Sequence, residues 1–133
     1  MAEFVDDVAD YLAAQGVVTS GGAGNNVYVG HYPDDPDNIV AVLGLEGGQL
    51  PNPNVAALIY PRFQVIIRNT DYAAGGTKLR QVRDALHVKI GISFDNYRVL
   101  RMHCQQEGGP IGQDEKGRYE FSINFYAQAE QTT

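Results

Sequence analysis

A chain of 133 residues, 44% of them hydrophobic, is long enough for one domain that buries about two-thirds of the surface its unfolded form exposes. One cysteine, Cys104, excludes an internal disulfide, and its apolar surroundings read as a small buried hydrophobe in a reducing compartment. Ten Lys and Arg against sixteen Asp and Glu give a net charge of −6, which argues against a protein that grips nucleic acid by neutralising its phosphates.

The N-terminal stretch MAEFVDDVADYLAAQG holds no basic residue, so it does not read as a signal peptide. Nor does any segment approach the roughly 18 apolar residues of a membrane span. The expectation is a soluble chain made in the cytoplasm. Residues 3–15 predict a helix, with Phe4, Val8, Tyr11 and Leu12 on one face and Asp6, Asp7 and Asp10 elsewhere around it. Gly16 is placed to end it. TSGGAGNN, residues 19–26, reads as a flexible loop.

Two strands follow, VYVGH (27–31) and NIVAVLGL (38–45), joined by an acidic stretch that crowds Asp34, Asp35 and Asp37 beside two prolines. Asp and Asn start turns by bonding their own backbone, and Pro presets φ, so a rigid turn is the leading reading of that stretch. A loop that meets a partner and a metal cage are the alternatives. A calcium loop, however, needs ligand spacings and a bend glycine that DDPDN lacks. EGGQLPNPN (46–54) reads as an exposed loop. RFQVIIRN (62–69) alternates as a strand, Phe63, Val65 and Ile67 against Arg62, Gln64 and Arg68, with Ile66 the exception.

A second helix is predicted over 77–90, TKLRQVRDALHVKI, with Thr77 as N-cap and Leu79, Val82 and Leu86 at apolar spacing. Lys78, Arg80, Arg83 and Lys89 make it the most basic segment of an acidic protein. NYRVLRMHCQ (96–105) and RYEFSINFYAQA (118–129) are the last two strands. The latter sets Tyr119, Phe121, Ile123 and Phe125 against Glu120, Ser122 and Asn124. DEKGR before it is a hairpin turn with Gly117 at the position that wants positive φ. The order α-β-β-β-α-β-β predicts one α+β domain over residues 1–133, a largely antiparallel sheet of about five strands with two helices packed on one face.

No catalytic, metal or cofactor site emerges. His31, His87 and His103 share no ligand spacing, and His87 reads as a complement to a helix C-terminus. His103, with Arg101 and Val99, is expected to face solvent or a partner. Cys104 and His103 are neighbours on a strand and point to opposite faces, a poor nucleophilic pair. AAGGTK (73–78) lacks the order of a phosphate loop and reads as the start of a helix, with an anion site as the lesser alternative. Flexible loops on a sheet with open edges suggest a subunit of an assembly instead of an enzyme.

The order of segments also carries a resemblance. PDDPDNIVAV, FQVIIRNTDY leading into the basic helix, and GQDEKGRYEFSINF together make the chain resemble the family of bacteriophage minor capsid and tail terminator proteins of long-tailed phages. That resemblance implies a structural virion protein that caps the head-proximal end of the tail tube, stops its growth and joins it to the head connector. It implies a hexameric homo-oligomer, a ring through which double-stranded DNA passes without specific binding. The alternative is another head–tail joining component, a connector stopper or tail completion protein. A small-ligand domain or unrecognised enzyme is the reading from a different class. Partner contacts are expected at Tyr32, Asp34, Asp35, Asp37, Arg80, Arg83, Gln113 and Asp114, and in loops 19–26, 46–54 and 106–117.

Overall fold

The computed structural model of the protein describes residues 3–21, 23–45 and 57–132, so the predicted 46–54 loop lies outside the described residues. The first element is helix α1, Phe4–Ala14, close to the expected 3–15. The Glu3 N–H donates to the Asp6 carboxylate at 2.9 Å, satisfying a donor at its start. At its end Gly16 takes a left-handed φ of 77°, and the N–H groups of Gly16 and Val17 donate back to the carbonyls of Ala13 and Leu12. One acid departs from expectation. Asp7 is buried, and it accepts the backbone N–H and the side-chain amide of Asn96 at 2.9 and 3.0 Å, tying the helix to a distant turn.

The strands are β1 (Val27–Val29), β2 (Ile39–Leu45), β3 (Leu58–Ile59) and β4 (Arg62–Asn69), then, after helix α2 (Tyr72–Leu86), β5 (Lys89–Ser93), β6 (Tyr97–Cys104), β7 (Gly109–Gln113) and β8 (Tyr119–Gln131). Among the described residues they form one sheet in the order β1-β2-β4-β8-β6-β5, with β3 and β7 also paired to β8. Every pairing is antiparallel except β1 with β2. The α+β class therefore holds, while the expected five strands become eight. The three additions are short or masked by composition. β3 has two residues, too few to alternate; β7 hides in a Gly- and Pro-bearing stretch; β5 was absorbed into the end of a helical pattern.

The second helix is shifted N-terminally from its predicted span. Asp71, not Thr77, is its N-cap, accepting the Ala74 N–H at 3.0 Å. Gly75 and Gly76 thus lie inside the helix, which weakens them as an anion loop. Gly75 is there for packing, since a Cβ at this position would overlap the Phe121 ring. The helix stops at Leu86. His87 caps it, its N–H donating to Arg83 O at 2.7 Å, and Val88 turns into β5 with φ of 54°, a strained value for a β-branched residue.

Both helices share one core with the inner face of the sheet. Phe63, Val65 and Ile67 of β4 meet Phe121, Ile123 and Phe125 of β8, Val8 and Leu12 of α1, and Val82 and Leu86 of α2. Phe63 and Phe125 stack at 5.2 Å, and Phe4 packs edge-on to Tyr97 at 5.4 Å. Each such buried side chain contributes about 2–3 kcal/mol from lost water contact. The outer face differs from a solvated one. Ile66 buries with Ile39 and Ala41 there, and Arg68, on the same face, is only 3% exposed. In β6 the pairing shifts between Val99 and Arg101, so Val99 enters the core while Arg101 stays exposed and His103 packs against Tyr126 at 5.5 Å.

Candidate interaction surface

The acidic stretch is no hairpin. Because β1 and β2 run parallel, with Val27 opposite Val40, residues 30–38 must carry the chain back along the strand before β2 begins. Such an excursion exposes carbonyls that no ladder satisfies. Two arginines from elsewhere in the chain, Arg68 of β4 and Arg118, satisfy four of them. Arg68 donates to the carbonyls of Asp37 (3.0 Å), Pro33 (2.8 Å), Asp34 (3.1 Å) and Pro36 (2.7 Å). Its guanidinium also lies 5.6 Å from the Tyr32 ring centre.

Arg118, just before β8 and 5% exposed, does the same for the side chains. It donates to Asp34 Oδ1 at 2.8 Å, Asp37 Oδ1 at 3.2 Å and Asp114 Oδ2 at 2.7 Å, and to the Asp34 carbonyl at 2.6 Å. Lys116 pairs with the other Asp34 oxygen. The β7–β8 hairpin that delivers both cations closes as predicted on Gly117, with φ of 77° and its N–H 3.0 Å from Asp114 O. Gln113 Nε2 donates to Gly117 O at 3.0 Å. Lys116 and Arg118 hold the Asp34 carboxyl below its ordinary range. Desolvation pushes Asp114 up, but the N–H groups of Arg118 and Lys116 and the Arg118 guanidinium outweigh it and leave it lowered. Arg118 is likewise opposed by desolvation, yet Asp114 and Asp34 raise it above the usual arginine range.

Six of the eight expected contact residues thus converge at one corner: Tyr32, Asp34, Asp35, Asp37, Gln113 and Asp114. The carboxylates of Asp34 and Asp37 are engaged by Arg118, while Asp35 and Glu115 remain exposed and keep the corner's surface acidic. Arg68, Lys116 and Arg118 were not singled out beforehand. The signal available for them was the surplus of aspartates in a segment that holds no cation of its own.

Arg80 and Arg83 lie elsewhere, on α2 against the inner face. There they border an open groove of about 320 Å³ between α2 and the 107–110 segment, floored by Leu79, Phe121 and Ile123. Tyr72 closes one end, packed on Phe121 at 5.4 Å, and Glu107 stands on the other rim. The Arg83 Nε is buried and has no hydrogen-bond partner. Near the end of α2, His87 Nδ1 accepts the Cys104 N–H at 3.0 Å and lies 3.1 Å from its Sγ, so both residues join α2 to β6. Asp7, Asp10 and Asp95 also approach one another, but Asp7 is already bonded to Asn96. Desolvation and the charges of Asp7, Asp95 and Asp6 raise the Asp10 carboxyl.

No helix among the described residues is long and apolar enough to cross a membrane. Comparison with characterised proteins finds no match. Among solved structures, the chain is similar to a chain of the virion of a native gene transfer agent particle. The TM-score is 0.67 at 14% identity, over 97% of this chain and 99% of that one, a likeness of fold. A family model described as bacteriophage tail terminator protein matches residues 11–131, from within α1 to the end of β8. With nearly the whole fold inside that match, the chain belongs to the bacteriophage tail terminator family.

Proposed function

We propose that the protein caps the head-proximal end of the tail tube, ends tube growth and joins the tail to the head connector, its described elements acting as one unit in a six-fold ring around the DNA channel. The observation that carries this is the family match across residues 11–131. Two features of the molecule support a ring. Ile90 of edge strand β5 and Val88 just before that strand are 74% and 62% accessible, an apolar edge suited to a neighbouring subunit. The acidic corner and the cationic α2 groove lie on opposite faces, which suits heterologous contacts in which one patch meets a different one. A net charge of −6 per copy suits a conduit that lets DNA pass, because few cations are present to replace its counterions.

Native mass spectrometry over a concentration series, followed by addition of purified tail tubes, tests this reading. A six-copy species, alone or on tube ends, is expected, and capped tubes should stop elongating. Dimers or tetramers that never reach six copies and leave tube growth unchanged would overturn it.

A further inference from the structure

The outer face of the sheet, opposite the two helices, is charged differently at its two ends. At one end Arg98 and Arg101 of β6 are exposed, and the register sets them opposite Glu130 and Gln128 of β8. Ala127 and Ala129 of β8 lie in the core, so Gln128 and Glu130, and the two arginines with them, point outwards. Neither arginine makes a hydrogen bond or an ion pair among the described residues, not even Arg98 with Glu130. Ile90 of edge strand β5 pairs with Arg101 and joins it on that face, 74% accessible. At the other end, Asp35 and Glu115 of the acidic corner are exposed and make no such bond among the described residues either. Tyr32 stands beside them, 37% accessible, and the β7–β8 hairpin exposes Ile111, 58% accessible.

The two surfaces carry opposite charge, and each sets its charge beside exposed apolar area, the composition with which one protein surface binds another. They cannot meet within one subunit. From Glu120, opposite Arg68, to Glu130, opposite Arg98, β8 spans about 33 Å, roughly four Debye lengths at physiological salt. We infer that the outer face of β5 and β6 is the docking site for the acidic corner of a second copy of this chain. Arg98 and Arg101 face Asp35 and Glu115 of that copy, and the corner's apolar side chains cover Ile90. Charge complementarity within one sequence names the occupant, and because the two patches differ, the contact repeats from copy to copy. The α2 groove offers the corner less, since Arg83 is half-buried and Arg80 already reaches Thr77 Oγ1 at 3.4 Å. This names the surfaces that meet in the ring proposed above and rests on that reading only for the number of copies.

The test is sedimentation velocity on the native chain, on Arg98→Glu with Arg101→Glu, on Asp35→Lys with Glu115→Lys, and on an equimolar mixture of the two variants. Each variant alone should associate roughly a hundredfold more weakly than the native chain, and the mixture should recover association. Recovery follows because every contact in the mixture joins a subunit acidic on both patches to one basic on both. A misfolded variant could not be rescued in this way. Association of either variant at native strength, or a native chain that stays monomeric at millimolar concentration, would overturn the inference. So would a mixture that fails to recover although both variants melt as the native chain does. Loss of binding to double-stranded DNA or to tail tubes, with self-association intact, would also overturn it, because the basic face would then have another occupant. A six-copy species that persists in both variants would leave the ring standing without this pairing. A native assembly of another size that obeys the charge exchange would do the reverse, so the two proposals fail separately.

Discussion

Two arginine pairs of this molecule face opposite situations. Arg68 and Arg118 are buried among acceptors, four carbonyls around one and three carboxylates around the other. Arg83, with Arg80, borders an open groove, and its buried Nε has no partner. Basic side chains of one chain thus meet different surroundings. The saturated pair holds a loop in shape, whereas Arg80 and Arg83 border open space. Cation counting along the sequence treats them alike, and the distinction lies in which strands bring acceptors to them.

The comparison breaks first at Arg68. Arg68→Met keeps the stem but takes the donors away from the carbonyls of Pro33, Asp34, Pro36 and Asp37, and should lower unfolding free energy by about 3 kcal/mol in urea denaturation. A change near zero would mean that the carbonyls find water and that the loop needs no internal scaffold. Gly75→Ala comes next, where α2 packs on Phe121. It improves helix propensity yet drives a methyl group into the Phe121 ring, so a net loss of about 1–3 kcal/mol is expected by the same measurement. A stabilised variant would show that α2 can move away from β8.

Acid sharpens the contrast further. Asp34 and Asp114 have depressed carboxyl pKa values, so their contribution is complete above the unfolded range, about pH 4, and is lost as pH falls through the lower folded values. Thermal midpoints should therefore decline below about pH 4 more steeply in the native chain than in Arg118→Gln. Parallel curves would remove the corner from the acid response. The smallest effects are expected at Arg83→Gln and Asp35→Asn, each within about 0.5 kcal/mol of the parent, since neither side chain makes a hydrogen bond among the described residues. A large loss at Arg83 would assign it to the saturated class.

Much of the fold is legible in the sequence where alternation is long. Phe63 to Ile67 and Phe121 to Phe125 announce the inner sheet face, and the Gly117 hairpin closes as the turn chemistry requires. The start of α2 was missed because Asp71 caps a helix that runs through two glycines, residues that propensity reads as breakers. Only the approach of Phe121 explains Gly75. The candidate surface was legible as a list of aspartates but not as a structure. Arg118 follows its hairpin partner Asp114 by four residues, yet it meets Asp34 across 84 positions of chain, a distance that no local pattern records. The parallel pairing of β1 with β2 was equally hidden, since two short apolar strands joined by a Pro-rich stretch read only as strands linked by a rigid turn.

Strand β8 has a further consequence, for the order in which the molecule can be built. It pairs with β4, β3, β6 and β7, and all four precede it in the sequence. A nascent chain can form α1 and α2 early, but β4 and β6 have no common partner until the ribosome has passed Gln131. Most of the sheet must therefore assemble after, not during, its own synthesis, and contacts of such long sequence separation close slowly. During that interval the apolar edges of β4 and β6 are open to other chains, so folding of this subunit competes directly with its premature association.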